Sequence, residues 1–257
     1  MERVRWHCHD CFHGMREEDT AGGIVVVIDV LRASTTIVTA LANGAVGVRT
    51  ERTAEAARAA AALAGRDAGH SLLGGERAGL RIEGFDLGNS PREYTPERVG
   101  GLRIVTTTTN GTAAVAACPL AEAILVGALV NRRAVAARAF ALALAGGRAP
   151  RPIHLVCAGT DGEVTEEDIL AAGAILDAAG ATALDAAATA ARAEFRQTIG
   201  DAPDLRAPLA AALADSRGGR NLLAIGMAAD IGCAAAIDTI PLVPRLDRGS
   251  GWFVADA

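Results

Sequence analysis

Residues 24–36 read Ile24-Val25-Val26-Val27-Ile28-Asp29-Val30-Leu31-Arg32-Ala33-Ser34-Thr35-Thr36, and this stretch decides the fold. Ile24 to Val30 is an almost unbroken apolar, β-branched run, the pattern of a strand buried on both faces of a parallel sheet. Ser34, Thr35 and Thr36 then offer N-cap hydroxyls for a helix that ends near Asn43-Gly44, where the glycine supplies a C-cap. Asp29 breaks the apolar run. A carboxylate there is costly to bury without a metal or a hydrogen-bonding partner, and an ion pair with Arg32 is the purely structural alternative.

The strand-turn-helix unit recurs on either side. A strand over Ala45 to Arg49 leads to an alanine-rich helix around Glu55 to Leu63, and a strand over Arg103 to Thr106 leads through Thr107-Thr108-Thr109-Asn110-Gly111 to a helix opening near Thr112. Further strands are expected at Ala123 to Val126 and Ile153 to Val156, with a helix from Asn131 to Ala145 between them. After Cys157-Ala158-Gly159-Thr160-Asp161-Gly162 a helix starts at Thr165, with Asp168 at capping-box spacing, and helical sequence continues to about Phe195. Gly74 to Pro96, rich in Gly, Asn, Ser and Pro, reads as a long ordered loop of the kind that carries function. Residues 203–233 read as a short helix, a Gly218-Gly219 break and a closing segment with Asp230 and Cys233. This alternation predicts a single α/β domain over residues 1–257, a three-layer α/β/α arrangement with a parallel or mixed sheet.

Composition narrows the ligands. Hydrophobic residues make up 51% of the 257 but aromatics only 3%, so the core must be built from closely packed Ala, Val, Leu and Ile. A net charge of -5 argues against nucleic-acid or anionic-membrane partners. All 25 basic Lys+Arg positions are arginine, which excludes Schiff-base chemistry and a P-loop lysine. Five scattered cysteines fit a reducing cytoplasm, and neither a signal peptide nor a membrane span is expected.

Three strands end in loops of hydroxyl, acidic or glycine residues that open helices: after Val30, Thr106 and Val156. In open parallel sheets such loops gather at one edge, where helix N-termini receive phosphate without lysine. The same hydroxyls could merely cap helices. Asp161, Glu167 and Asp168 could share a hard cation, although acids in a first helical turn also serve the dipole. A haloacid-dehalogenase-type reading is weak because Leu31 stands where a second Asp is needed, and a cysteine-phosphatase reading of Cys157 fails because Glu163 stands where the phosphate-clasping Arg should be. His7-Cys8-His9-Asp10-Cys11-Phe12-His13 has zinc-like composition, but no second ligand pair follows and strand geometry would separate Cys8 from Cys11.

Asp29-Val30-Leu31-Arg32-Ala33-Ser34-Thr35, Gly74-Gly75-Glu76-Arg77, Gly84-Phe85-Asp86-Leu87-Gly88-Asn89-Ser90-Pro91, Thr107-Thr108-Thr109-Asn110-Gly111-Thr112 and Cys157-Ala158-Gly159-Thr160-Asp161-Gly162 with Glu167-Asp168 resemble, in order, the motifs of the 2-phosphosulfolactate phosphatase family. The resemblance runs from Ile24 to Pro244. It implies a Mg²⁺-dependent hydrolase that releases phosphate from 2-phosphosulfolactate on the route to coenzyme M. Carried onto these positions, it implies Asp29, Arg32 and Asp161 in catalysis. Ser34, Thr35, Arg77, Asn89, Ser90, Thr108, Thr109, Asn110 and Gly111 are expected on the substrate, and Asp29, Glu76, Asp161 and Asp168 around Mg²⁺. Water is the expected nucleophile, with Asp29 as its rival. The partner is a small anionic phosphate ester, and a homo-oligomer is compatible with this reading. A non-catalytic sensor of phosphate or sulfonate ligands would use the same loops, and only the enzyme would release inorganic phosphate.

Overall fold

The structure is a computed structural model and describes residues 3–68, 71–145, 147 and 149–256. Its strands are β1 (Arg5–His9), β2 (Ile24–Ile28), β3 (Gly47–Thr50), β4 (Ser71–Arg77), β5 (Leu80–Arg81), β6 (Arg103–Thr107), β7 (Ala123–Gly127), β8 (Ile153–Cys157), β9 (Ala183–Leu184), β10 (Val243–Asp247) and β11 (Trp252–Asp256). Its helices are α1 (Ala33–Ala42), α2 (Ala54–Ala68), α3 (Pro96–Val99), α4 (Gly111–Ala116), α5 (Arg132–Leu144), α6 (Glu166–Ala178), α7 (Ala186–Ile199), α8 (Arg206–Asp215), α9 (Arg217–Ala224) and α10 (Ala228–Ala234).

The strands form one mixed sheet ordered β5-β4-β6-β3-β11-β10-β7-β2-β8-β1-β9, with helices on both faces in a three-layer α/β/α arrangement. β7, β2, β8, β1 and β9 make a parallel block in which Val26 lies opposite both Leu125 and Leu155. β4, β6 and β3 make a second parallel block. The antiparallel β10–β11 hairpin joins the two through one residue pair on each side, Arg245 with Leu125 and Phe253 with Val48.

Every residue of β2 is buried, as its β-branched run requires. Val25 and Val27 meet Ile37, Val38 and Leu41 of α1 on one face, while Ile24, Val26 and Ile28 meet Val135 of α5 and Leu170 and Ile175 of α6 on the other. Each such side chain contributes roughly 1.5–3 kcal/mol of burial. With so few aromatics, helices must approach closely. A Cβ on Gly173 of α6 would lie 2.0 Å from the Ala191 carbonyl oxygen of α7. Gly173→Ala is therefore expected to destabilise the fold by about 1–3 kcal/mol, read as a fall in melting temperature.

Several sequence expectations are corrected. The stretch from Gly74 begins as strand, because β4 runs parallel to β6 with Gly74 and Gly75 opposite Thr106 and Thr107. Glycines are needed there because a Cβ would sit 2.4 Å from the Tyr94 hydroxyl at Gly74 and 2.3 Å from the Thr107 carbonyl at Gly75, where φ is +147°. The helix expected to reach Phe195 is broken by Gly180 at φ +57° and by β9, giving α6 and α7. The tail beyond Pro244, where the family resemblance ends, supplies most of the joining hairpin. Ser34, Thr35 and Thr36 lie inside α1, whose N-cap is Arg32. Among the described residues no helix is long and apolar enough to cross a membrane.

Candidate active site

A cleft of about 590 Å³ opens where the ends of β2, β4, β6 and β8 meet α9. Of the expected residues, Asp29, Arg32, Glu76, Arg77, Asn89, Thr108, Thr109, Asn110, Asp161 and Asp168 line it. Glu167 of α6 and Asn221, Leu222 and Ile225 near α9 complete the wall.

Asp29 sits at the mouth of the β2–α1 turn. Its Oδ1 accepts the Ala33 N–H at 3.1 Å, and its own N–H donates to Ser34 Oγ at 2.9 Å. Burial pushes its carboxyl up to about 6, opposed by the Ala33 N–H and reinforced by the negative charges of Glu76 and Glu167. Gly111, opening α4, comes so close that a Cβ there would stand 2.7 Å from Asp29 Oδ2 and 2.9 Å from the Ala33 Cβ. Gly111→Ala is thus expected to displace the Asp29 carboxylate. A loss near 10²-fold in kcat/KM with the fold intact is the expected readout, since small misplacements at a reacting centre cost about that much.

Asp168 braces two strand ends. Its Oδ1 accepts the Val30 N–H at 2.9 Å and its Oδ2 the Gly159 N–H at 3.0 Å. Burial, then the charges of Asp29 and Glu167, hold it well above the ordinary carboxylate range. Glu167 accepts the Gly218 N–H on Oε1 at 3.1 Å, while its Oε2 is buried without a hydrogen-bond partner. Burial raises its carboxyl as well. A partnerless buried carboxylate oxygen is costly. Of the three acids that could share a cation, Glu167 is the one set beside Asp29 and Asp168 with an oxygen left unpartnered.

Glu76 is a brace too. Oε1 accepts both the N–H and the hydroxyl of Thr109 at 2.9 Å, and Oε2 accepts the Gly79 N–H at 2.8 Å, so the β4–β5 turn and the β6–α4 loop are pinned together. Arg77 donates to its neighbour's carbonyl, Glu76 O, at 2.7 Å and to Thr107 Oγ1 at 3.1 Å. It is exposed and has no carboxylate partner among the described residues. Arg32 pairs not with Asp29 but with Asp230 of α10 at 2.8 Å. Asp161, at φ +54°, lies on the rim with its side chain 67% exposed and 3.1 Å from Arg217, and its N–H faces Asn110 Oδ1 at 3.4 Å.

The hydroxyls of Ser34, Thr35 and Ser90 are placed differently from expectation. Ser34 accepts from Asp29 and Thr35 donates to the Val30 carbonyl at 2.8 Å, both inside the turn, and Ser90 donates to Asp230 at 2.6 Å. None of the three lines the cleft, because the turn's own polar groups take Ser34 and Thr35 and Asp230 of α10 takes Ser90. Gly111 reaches the site through its backbone, against Asp29. In the His/Cys segment, Cys8 points into the core, His7 meets Asp185 at 3.2 Å and His9 meets His154 at 3.1 Å. No three His, Cys, Asp or Glu side chains form a ready-made metal cage among the described residues.

Fold and cleft together define an α/β protein with a cleft lined by buried carboxylates and by arginines at its strand ends. The sequence profile described as 2-phosphosulpholactate phosphatase matches residues 11–249, starting earlier and ending later than the motifs alone indicated, and the chain belongs to that family, a family of phosphoric monoester hydrolases. A relative from Synechococcus sp. (strain RCC307), named "Probable 2-phosphosulfolactate phosphatase", is 41% identical over 231 residues, covering 87% of this chain and 89% of its own. Relatives under the same name from Deinococcus radiodurans and Symbiobacterium thermophilum are 43% and 38% identical, covering 88% and 90% of this chain and 88% and 94% of their own.

Proposed function

We propose that the protein hydrolyses 2-phosphosulfolactate to sulfolactate and phosphate with Mg²⁺ as cofactor, a step that the family resemblance associates with coenzyme M biosynthesis. The observation that carries this reading is the cleft, which sets Asp29, Asp168 and the partnerless Glu167 Oε2 beside Arg32 and Arg77. The donor set suits Mg²⁺, which takes hard oxygen ligands and typically only one or two carboxylates, leaving the rest of its shell to water and phosphate. Asp29 and Glu167 would hold it, with Asp161, Glu76 and Asp168 as the other expected carboxylates. Arg217 and solvent already satisfy Asp161, and Glu76 and Asp168 each have both oxygens engaged, so these three are weaker ligands than Asp29 and Glu167. When bound, the cation supplies charge neutralisation and orientation at the phosphoryl group.

The chain's own residues do the remaining work. Arg32 and Arg77 meet the anionic groups by charge-assisted hydrogen bonds, and Asn89, Thr108 and Asn110 add polar contacts on the same wall. The Thr109 and Gly79 backbones stay fixed by Glu76, so donors need not reorganise when the ester arrives. Water is the proposed nucleophile. Asp29, already accepting from Ala33, serves as the anchoring carboxylate.

Phosphate release from a panel of phosphorylated hydroxy acids, with Mg²⁺ or with excess EDTA, tests the reading. Turnover of 2-phosphosulfolactate only with Mg²⁺ is expected, and binding without phosphate release would favour a sensor. Arg77→Ala should lose about 10- to 100-fold in kcat/KM on 2-phosphosulfolactate, the worth of one charge-assisted hydrogen bond. It should lose less on an aryl phosphate without sulfonate or carboxylate. Equal losses on both would remove Arg77 from recognition.

A further inference from the structure

We infer that Asp230 is a positioning residue that holds Arg32 in its anion-receiving orientation, an inference that rests on the proposed recognition of an anionic ester in this cleft. Arg32 is almost wholly enclosed, its side chain 3% exposed and that of Asp230 1%. Asp230 is absent from the cleft wall, so it reaches the guanidinium from behind, while Arg32 contributes to the wall itself. Asp230 Oδ2 accepts from Arg32 Nη1 at 2.8 Å and Oδ1 from Ser90 Oγ at 2.6 Å. Arg32 Nη2 donates to the Gly79 carbonyl at 2.7 Å. Two of the five guanidinium N–H groups are therefore fixed by acceptors on two separate elements, α10 and the β4–β5 turn.

The physical need for this arrangement comes from the cleft's own charges. Asp29, Glu76, Glu167 and Asp168 share the wall with Arg32, and a guanidinium without a partner behind it would fold onto one of those carboxylates, cancelling the positive charge an anion requires. A buried ion pair contributes little net stability relative to well-packed apolar groups, so stability alone is a poor account of Asp230. Pairing from outside the cleft neutralises the buried cation for folding, yet leaves its remaining N–H groups available. Ser90 completes the clamp by fixing the second oxygen of Asp230. That contact explains why the Ser90 hydroxyl, expected on the substrate, is turned away from it.

The test is a double-variant cycle on the full chain with Mg²⁺ present, reading kcat and KM separately. Asp230→Asn should raise KM for 2-phosphosulfolactate about 10- to 100-fold, with kcat changed by no more than about threefold. In an Arg32→Gln background the same change should have no further effect on KM, because a residue acting only through Arg32 has nothing left to orient. Unchanged KM in Asp230→Asn, with KM raised in Arg32→Gln, would overturn the inference, and so would losses that multiply in the double variant. An Arg32→Gln variant with wild-type KM would instead overturn the recognition reading on which the inference rests, and that failure shows in the single Arg32 variant alone. If Asp230→Asn does not fold, Ser90→Ala takes its place. A smaller KM rise that vanishes in the Arg32→Gln background supports the clamp, and an unchanged KM overturns it.

Discussion

Asp29→Asn is expected to cost about 10³-fold or more in kcat without lowering the melting temperature. The catalytic loss follows from position. Asp29 directly follows β2 in the cleft, with its backbone fixed by Ser34 and its carboxylate by Ala33, and transition-state charge stabilisation at a phosphoryl centre is worth several kcal/mol. The stability expectation follows from the carboxyl being pushed up to about 6 by burial and neighbouring carboxylates. At neutral pH the folded protein bears an ionisation penalty on the order of 3 kcal/mol at this one side chain. Asparagine has nearly the same shape, can still accept the Ala33 N–H, and removes that penalty at the cost of about 1 kcal/mol in weakened hydrogen bonding. Phosphate release and thermal unfolding on one preparation check both halves. Retained turnover would remove Asp29 from the chemistry, and a sharply lowered melting temperature would make it a structural brace like Asp168.

The legible part of the molecule was local. Ile24 to Ile28 announced a strand buried on both faces, and Asp29 stood out because no local pattern explains an acid there. The strand-end loops after Val30, Thr106 and Val156 do gather at one cleft. Long-range contact was not legible. Arg32 and Asp230 are 198 residues apart, so nothing adjacent to either reveals the pair, and the neighbouring Asp29 looked like the natural partner. Glu167 and Asp168 are consecutive first-turn acids with opposite fates, one bonded through both oxygens to strand-end N–H groups and the other left with a free buried oxygen. Helix periodicity cannot separate them, because both sit within a turn that packs on the sheet edge. Ser34 and Thr35 misled for a related reason. A hydroxyl at a helix start reads as a cap or a ligand, whereas the tight turn after Asp29 consumes both internally. β10 and β11 were missed because a hairpin that bridges two parallel blocks carries no signal of that role in its own short strands.

Removing Mg²⁺ should abolish turnover, and its effect on stability should grow with pH. The sign follows from Asp29. Its ordinary value is 3.8 and its folded value about 6, so between these the folded state keeps a proton that the unfolded chain has released. Stability from this group is therefore fully present below about pH 4 and is lost as pH rises through 6. About 1.4 kcal/mol of the change falls between pH 5 and 7.5, or about 3–6 °C for a chain of this size. Asp168 and Glu167, both raised by burial, act in the same direction. A cation held by Asp29 and Glu167 favours their ionised forms, so its binding releases protons and strengthens as pH rises. In excess EDTA the melting temperature should fall from pH 5 to 7.5. In millimolar Mg²⁺ the fall should flatten, leaving the stabilisation by Mg²⁺ larger at pH 7.5 than at pH 5. Thermal unfolding at the two pH values, with and without Mg²⁺, makes the comparison. An equal gain at both would mean that the cation binds away from the buried carboxylates, and full phosphate release in excess EDTA would show that the reaction does not need it.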